Sequence, residues 1–580
     1  MHRRWFVNKT NPEYIKYLSK NTSISPVLAQ ILINRGIKTP EDISSFLNPN
    51  ISQLSDPFDI EGMKTAVERI ITASNRGEKV LVHGDYDVDG LTATAIILQA
   101  LKIIGIGCCY FIPNRLKHGY GFNSAAVEKA KEIGAALIIT VDCGITSFDE
   151  AALCRKQGID LIITDHHEPI RSQESGVRSQ NENPPSPPEF LLPDALAIIN
   201  PKISNPESNI SNLSGAGIAF KLAQAIVTTH DSQLTIHDFL DLAALGTIAD
   251  VVPLTGENRI IVKEGLRLIE NGARPGLRGL RQVSGIGDKG LNSGRLSFTL
   301  IPRINAAGRI ADSNDVIKLL LADSDDEAAD MSLWLDKLNL ERQRIEEDVY
   351  QEALNKLNNK DIGSAIVLYS EGWHKGVVGI VASRIAEAFY RPVFIISIEG
   401  NIARGSARSI PPLNIYEALS GCKKFLRGFG GHKQAAGLEL EAKDIPLFEE
   451  GINRVVEDIL NEKDFIPTLE IDADVDLSAI NSNLISEIEM LEPFGFGNTE
   501  PLLGAKGLKI LYPKIVGNNH LKMKLRQKNQ SFDAIGFDMG EFLGMLDGHE
   551  TVDAVFTPCV NEWEGGRCLQ LNLKALRPSL

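Results

Sequence analysis

Residues 79–90, Lys-Val-Leu-Val-His-Gly-Asp-Tyr-Asp-Val-Asp-Gly, decide the fold. Lys79 to Val82 is a short run rich in Val and Leu that reads as a buried strand ended by Gly84. His83, Asp85, Asp87 and Asp89 follow at every second position. Gly90 then leads into Leu-Thr-Ala-Thr-Ala-Ile-Ile-Leu-Gln-Ala-Leu, a helical run. One imidazole and three carboxylates crowd a single strand-to-helix turn. Gathering that much negative charge is costly unless a cation sits among it. The stretch therefore predicts a divalent-metal site at the carboxyl end of a strand.

The same rhythm continues outward. Strands are expected at Val80–His83, Cys108–Ile112, Ala136–Val141, Leu161–Thr164 and Leu196–Ile199, with helices between them at Asn123–Ile133 and Ser147–Gln157. This is the βαβ alternation of an open, mostly parallel sheet, whose sites lie past the carboxyl ends of the strands. Two further strand ends carry matching groups, Asp142-Cys143-Gly144 and Asp165-His166-His167. Asp250 closes the apolar segment Leu245-Gly-Thr-Ile-Ala-Asp. If the sheet is parallel, these groups arrive on one edge. A calcium-binding helix-loop-helix is excluded, because the twelfth residue counted from Asp85 is Ile96 rather than Glu. Asp and His ligands without Cys favour Mn²⁺ or Mg²⁺ over structural zinc, and their number suggests two ions bridged by a carboxylate. Such a pair stabilises the attacking and leaving oxygens of a displacement at phosphorus.

The chain has 580 residues, of which 43% are hydrophobic, enough for several cores. No apolar run approaches membrane-spanning length, and the N-terminus has no secretion-signal pattern. Seven scattered cysteines without a CxxC pair point to reduced thiols and a cytoplasmic location. The net charge of −15 argues mildly against a nucleic-acid partner, although a channel needs only a local basic patch.

Five regions are expected. Residues 1–60 form a helical adaptor, with helices near Asn11–Ser19, Ser25–Arg35 and Pro40–Leu47. Residues 61–323 form the metal-binding lobe, interrupted at 168–193 by a Pro- and Ser-rich insertion that reads as a floppy surface segment. Residues 324–360 form a long connecting helix opened by a Ser324/Glu327 capping box. A second α/β lobe covers 361–460, with strands Ser364–Leu368 and Val393–Ile398. Residues 465–580 carry short strand-like runs separated by turns, an all-β barrel of OB-fold size.

His83-Gly-Asp-Tyr-Asp-Val-Asp-Gly90, Val141-Asp-Cys-Gly144, Asp165-His-His167 and Gly246-Thr-Ile-Ala-Asp250 together resemble the four signatures of the DHH phosphoesterases. The arrangement and length are similar to that superfamily's bacterial single-strand-specific exonucleases. The resemblance covers almost the whole chain: a DHH lobe, a connecting helix, a DHH-associated lobe and a C-terminal OB-type barrel. It implies His83, Asp87 and Asp142 on one ion and Asp89, Asp142, His166 and Asp250 on the other, with Asp142 bridging. His167 would face the scissile phosphate, so that Asp89, Asp142, His166 and His167 form the catalytic centre. Asp85 is read as support for His83 or for a metal water.

Substrate contacts are expected from Arg115 and Tyr120, from Arg303 and Asn305 in Pro302-Arg-Ile-Asn-Ala-Ala-Gly-Arg309, and from Ser406 and Arg408. Guanidinium forks suit phosphate geometry. Gly430, Gly431 and His432 are expected to form a turn whose N–H groups approach a phosphate. In the barrel, Lys522, Lys524, Arg526 and Lys528 alternate with Met523, Leu525 and Gln527, which at strand period puts four cations on one face. Tyr120, Phe494 and Phe496 are candidate stacking partners.

The resemblance implies 5′-to-3′ hydrolysis of single-stranded DNA to mononucleotides in recombination and repair. A monomer is expected, recruited by a single-strand-binding protein and a helicase. The alternatives are a phosphodiesterase for short oligonucleotides or cyclic dinucleotides, an inorganic pyrophosphatase, and an inactive DNA-binding scaffold.

Overall fold

A computed structural model describes residues 3–114, 119, 121–172, 190–204, 208–230, 235–272, 274–287, 290–358, 361–563 and 566–579. The chain divides into two compact units. One comprises Phe6–Gly308, Asp312–Leu333 and Glu470–Leu580; the other comprises Met1–Trp5, Arg309–Ala311 and Trp334–Leu469.

The first unit holds the expected parallel sheet. Its five strands run in the order Cys108–Phe111, Lys79–Gly84, Ala135–Val141, Asp160–Thr164 and Ala197–Ile199, all parallel. Apolar residues on both faces, such as Leu81, Val82, Ile138, Ile139, Ile162 and Ile163, are buried, as a sheet covered by helices on both sides requires. The register aligns the strand tips, with Gly84 beside Val141, Val141 beside Thr164 and Thr164 beside Ile199. Asp85, Asp142, Asp165 and Asn200 are therefore the next residue of four neighbouring strands, a row one step past the edge. Helix Val88–Ile103 follows the first tip and is almost wholly buried, packed against helices Gly215–His230 and His237–Ala249.

Asp250 reaches this edge by a different route. It caps the carboxyl end of the helix His237–Ala249 and does not end a strand. Periodicity could not separate a buried strand from a buried helix in so apolar a run. In the 168–193 insertion, Ile170–Arg171 pairs with Phe190–Leu191, and residues 173–189 lie outside the described residues.

The same unit carries the barrel. Strands Leu503–Val516, His520–Gln527, Gln530–Gly536, Gly566–Pro578 and Thr551–Trp563 pair in that order, and the last pairs back to the first, closing the ring. Closure leaves no open edge within the ring. The helices Pro12–Thr22, Pro26–Asn34 and Pro40–Leu47 add Leu18, Leu28, Ile31, Leu32 and Ile43 to the cluster formed by Leu503, Leu521, Met523, Phe556 and Leu571. Residues more than 400 positions apart thus share one apolar core.

The second unit has a five-stranded sheet in the order Gly428–His432, Ala435–Glu441, Ile402–Arg408, Val393–Glu399 and Ile366–Glu371. Alternation along Val393–Glu399 sends Phe394 and Ile396 to one core and Val393 and Ile395 to another, on opposite faces. Gly430, Gly431 and His432 lie in the edge strand, not in a turn. The turn is the two-residue loop that follows, between His432 and Ala435. The glycine run suggested a loop, but hairpin pairing overrides that propensity, with Gly431 at φ 140°.

The long helix spans Asp325–Asn358, and the division between the units falls after Leu333 within it. The Glu327 N–H donates to Ser324 Oγ at 3.3 Å, giving the expected N-terminal cap. Among the described residues, no helix is long and apolar enough to cross a membrane.

Candidate metal centre

The strand-to-helix turn positions three of the predicted ligands differently. Asp87 is the N-cap of helix Val88–Ile103 and its Oδ1 accepts the Gly90 N–H at 3.1 Å, leaving Oδ2 for other work. Asp89 lies in the first turn. Its Oδ2 accepts from the Gly215 N–H at 2.6 Å and its Oδ1 from the Ala216 N–H at 2.9 Å, both at the start of helix Gly215–His230. A helix N-terminus thus orients this carboxylate and offsets part of its charge. Gly90 is required where it stands, since a Cβ there would lie 2.6 Å from the Asp85 backbone nitrogen.

Asp142 has φ 61°, the left-handed region that costs a non-glycine residue free energy unless its surroundings hold it. Its N–H continues the ladder to the Thr164 carbonyl at 3.0 Å. That twist turns the side chain toward His166, whose Nε2 lies 3.1 Å from Asp142 Oδ1, 3.5 Å from Asp250 Oδ2 and 3.9 Å from Asp89 Oδ2. Three groupings with ligand atoms close enough for an ion emerge: Asp85, Asp87 and Asp142; Asp89, His166 and Asp250; and Asp142, His166 and His167. Asp142 is common to two of them. Asp85, expected only as support, stands in a grouping as a possible direct ligand. His83 is buried nearby, its ring 5.7 Å from that of Phe111 and 5.2 Å from that of Phe122, with Nε2 3.3 Å from the Gly121 carbonyl.

The electrostatics follow from this crowding. Burial first, then the neighbouring carboxylates, pushes Asp89 up to about 7 and Asp250 up to about 9, and holds Asp142 well above its ordinary value. Burial lowers His83 to about 4 and His166 to about 3, so both rings are neutral near pH 7 and can donate lone pairs. Among the described residues, His83 Nδ1, Asp142 Oδ1, His166 Nε2 and Asp250 Oδ2 are buried without a hydrogen-bond partner. Orphaned buried polar atoms are rare and costly, and four of them at one sheet edge, all Asp or His, fit a divalent-cation centre.

His167 is arranged for a different task. Its Nδ1 donates to Asp165 Oδ1 at 2.7 Å, and the ring is half-exposed. Despite the opposing effect of burial, the Asp165 carboxylate raises His167 to about 9. Asp165 also accepts N–H bonds from Ile145, His166 and His167. Although burial opposes it, the His167 side chain, then the His166 ring and the His167 N–H, leave its carboxyl at about 2. Its position as the first residue past a strand tip, directly before two histidines, was the available sequence signal for this supporting role. Gly215 and Ala216 gave none, because nothing in a Ser-Gly-Ala-Gly run marks which carboxylate it will hold.

The remaining predicted residues are dispersed. Asn305 Oδ1 accepts the Val88 N–H at 3.3 Å, so it supports the motif backbone directly. Arg303 Nη1 donates to the Thr299 carbonyl at 2.8 Å. In the second unit, Arg408 donates from Nε to Ser383 Oγ and from Nη1 to Ser406 Oγ, each at 3.0 Å. The two predicted side chains are thereby held together beside Gly379, in the first turn of helix Val378–Phe389. Gly430, Gly431 and His432 are exposed on their edge strand. On the barrel, Lys522, Lys524 and Arg526 point outward while Leu521, Met523 and Leu525 are buried. Lys514 stands opposite Lys522 and Lys509 opposite Arg526 in the adjoining strand, extending the basic face beyond the expected residues. Lys528 leaves the strand and pairs with Asp476 at 2.8 Å. Tyr512, 79% exposed at the bulge between Leu511 and Lys514, is the aromatic group nearest that face in sequence, and sequence reading missed it. Arg115 and Tyr120 lie outside the described residues.

Comparison with known proteins agrees with this layout. Residues 79–247 match the DHH family N-terminal domain, 362–458 the DHHA1 domain and 471–575 the RecJ OB domain. The chain is 38% identical over 577 residues to the single-stranded-DNA-specific exonuclease RecJ of Bacillus subtilis, covering 98% of this chain and 70% of that protein. It is 32% identical over 579 residues to RecJ of Escherichia coli, covering 96% of each. The crystal structure of Thermus thermophilus RecJ with Mn²⁺ superimposes with a TM-score of 0.83 at 29% identity, covering 100% of this chain and 80% of that one. The same protein with Mg²⁺ gives 0.78 at 28% identity, covering 100% and 79%. The short-oligonucleotide alternative is not favoured, since these relatives align through the barrel as well as the two lobes.

Proposed function

The chain belongs to the RecJ family of single-stranded-DNA-specific exonucleases within the DHH phosphoesterases, and on that premise we propose how its residues divide the work. It is a metal-dependent exonuclease acting on single-stranded DNA, with Mn²⁺ or Mg²⁺ at the sheet edge. His83, Asp87 and Asp142 hold one ion, and Asp89, Asp142, His166 and Asp250 hold the other. The observation that carries this reading is the set of four buried Asp and His atoms without hydrogen-bond partners, converging where three carboxylates are held above their ordinary protonation range.

When bound, the ions polarise the scissile phosphodiester and lower the pKa of the attacking water. The chain supplies the rest. Gly215 and Ala216 hold Asp89 in orientation, and the strained backbone at Asp142 aims a carboxylate that would serve both ions. His167, protonated through its bond to Asp165, faces the scissile phosphate and neutralises charge as it develops. In the second unit, Arg408 and Ser406 bind a terminal 5′ phosphate; release of 5′-mononucleotides from the 5′ end is what the family resemblance implies. Arg115, Arg303, Gly430, Gly431 and His432 extend that backbone contact, and the basic barrel face tracks the incoming strand.

The regional division 1–60, 61–323, 324–360, 361–460 and 465–580, a cytoplasmic monomer, and recruitment by a single-strand-binding protein and a helicase belong to the same proposal. An inactive scaffold is disfavoured, because every ligand position is filled. The test is Asp142→Ala. Hydrolysis of labelled single-stranded DNA should fall to background while binding of the strand persists. Undiminished turnover would overturn the ligand assignment.

A further inference from the structure

Asp250 stands one residue past the end of helix His237–Ala249, held to it by its N–H bond to the Gly246 carbonyl at 3.0 Å. The chain then turns through Val251, whose φ of 59° is a conformation that β-branched residues rarely adopt. Val251 is also 64% exposed, so its own side chain does little to hold it there. Something beyond it must fix the backbone.

The fixing contacts come from the segment that leads into the barrel. The Leu254 N–H donates to the Phe496 carbonyl at 2.8 Å. Gly495 and Asn498 exchange backbone hydrogen bonds of 2.9 and 3.2 Å, closing a tight turn. The turn lies so close that a Cβ on Gly495 would stand 2.6 Å from Leu254 Cδ1, and one on Gly497 would stand 2.9 Å from Pro253 Cβ. Gly497 also has φ 71°, which excludes most other residues. The turn is itself anchored. Asn498 is buried, and its Nδ2 donates to the Leu491 and Pro493 carbonyls at 2.8 Å each. Arg35 donates to Asn498 Oδ1, and through Nη2 to the Thr499 carbonyl at 2.6 Å. From the other side, Asn258 Nδ2 donates to the Pro253 carbonyl at 3.1 Å.

We infer that the turn Gly495–Asn498 is a positioning element for the metal centre: it clamps Pro253 and Leu254, and so sets where Asp250 presents its carboxylate. The inference rests on Asp250 being a metal ligand. Its consequence is that part of the metal affinity is built by the segment preceding the barrel, through a backbone hydrogen bond and two glycine-dependent contacts. Groups that orient a ligand without touching the metal commonly change metal affinity about 10- to 100-fold when altered.

The test is a Mn²⁺ titration of the full chain, without DNA, following the thermal unfolding midpoint in wild type, Gly497→Ala, Asn498→Ala and Asp250→Asn. Gly497→Ala should raise the Mn²⁺ concentration for half-maximal stabilisation about tenfold or more. Strain at φ 71° lowers the metal-free midpoint too, but by less than it lowers the Mn²⁺-loaded midpoint; single-stranded DNA affinity in chelator should stay close to wild type, and excess Mn²⁺ should restore turnover. If Gly497→Ala does not fold, Asn498→Ala is judged by the same rule. An unchanged Mn²⁺ requirement, or a loss of metal-free stability as large as the loss in the loaded protein, would overturn the inference. Asp250→Asn separates the two levels. If it leaves the Mn²⁺ requirement unchanged, the ligand reading fails; if it shifts the requirement and the turn variants do not, the clamp alone is refuted.

Discussion

Replacing Gly215 with Ala should cripple catalysis through a single added methyl group. A Cβ at Gly215 would stand 2.5 Å from Asp142 Cβ, 2.6 Å from Asp142 Oδ1 and 2.7 Å from Asp142 Cγ. Ordinary carbon contacts lie at about 3.5–4.0 Å, so roughly 1 Å must be recovered by moving either the carboxylate or the start of helix Gly215–His230. Either movement damages the site. The first displaces the carboxylate assigned to both ions; the second pulls the Gly215 and Ala216 N–H groups away from Asp89. A misplacement of about 1 Å at a reacting centre costs on the order of 100-fold, or about 2.7 kcal/mol of transition-state stabilisation. Overpacking costs folding stability about 1–3 kcal/mol, which a domain of this size tolerates. Steady-state release of labelled nucleotide from single-stranded DNA, at limiting and saturating Mn²⁺, measures the effect. Turnover within twofold of wild type at limiting Mn²⁺ would refute the reasoning, because it would mean the carboxylate does not need the room that Gly215 leaves.

Three further outcomes follow from the same geometry. Asp165→Asn removes the carboxylate that raises His167 to about 9, so the alkaline limb of the kcat–pH profile should move to lower pH; an unmoved limb would exclude His167 from the rate-limiting step. Between about pH 7.5 and 9 the metal-free protein should lose stability as pH rises. Asp250 at about 9 and His167 at about 9 keep protons that the unfolded chain has largely released, while His83 and His166 are by then neutral in both states. Melting curves in chelator should show that decline and Mn²⁺ should abolish it; a flat metal-free profile would contradict the crowded-carboxylate account. Replacing Lys522, Lys524 and Arg526 together with Ala should weaken single-strand binding and lower the slope of log affinity against log salt by about 2, at roughly 0.7 per lost phosphate contact. An unchanged slope would assign DNA tracking to another surface.

The sheet edge was legible because three of its five strands are compact apolar runs that stop at an Asp, and period and punctuation both survive in the folded chain. Val80–His83 and Leu161–Thr164 are within a residue or so of the observed strands for that reason. The outward alternation of Lys522, Lys524 and Arg526 was legible for the same reason, since period two fixes the face. What could not be read depends on residues far apart in the chain. The N–H groups that hold Asp89 come from more than 120 residues away, and the Phe496 carbonyl reaches Leu254 from more than 200. Asp250 could be read only as the end of an apolar segment, because Leu245–Ala249 suits a buried strand and a buried helix equally well. Gly430 and Gly431 were read as a turn because glycine usually breaks strands; pairing with Ala436 and Gly437 outweighed that tendency. Asn305, expected at the substrate, also accepts the Val88 N–H of the first motif, a contact across more than 200 residues that sequence does not show.

The central claim is that this sheet edge, loaded with metal, removes nucleotides from the 5′ end of a single strand. One time course tests it most directly: the same single-stranded DNA labelled at the 5′ or the 3′ end, incubated with the protein in Mn²⁺ and in chelator. The 5′ label should appear at once as mononucleotide while the 3′ label stays in progressively shorter strands, and chelator should stop both. Early release of the 3′ label, or hydrolysis that persists in chelator, would contradict it.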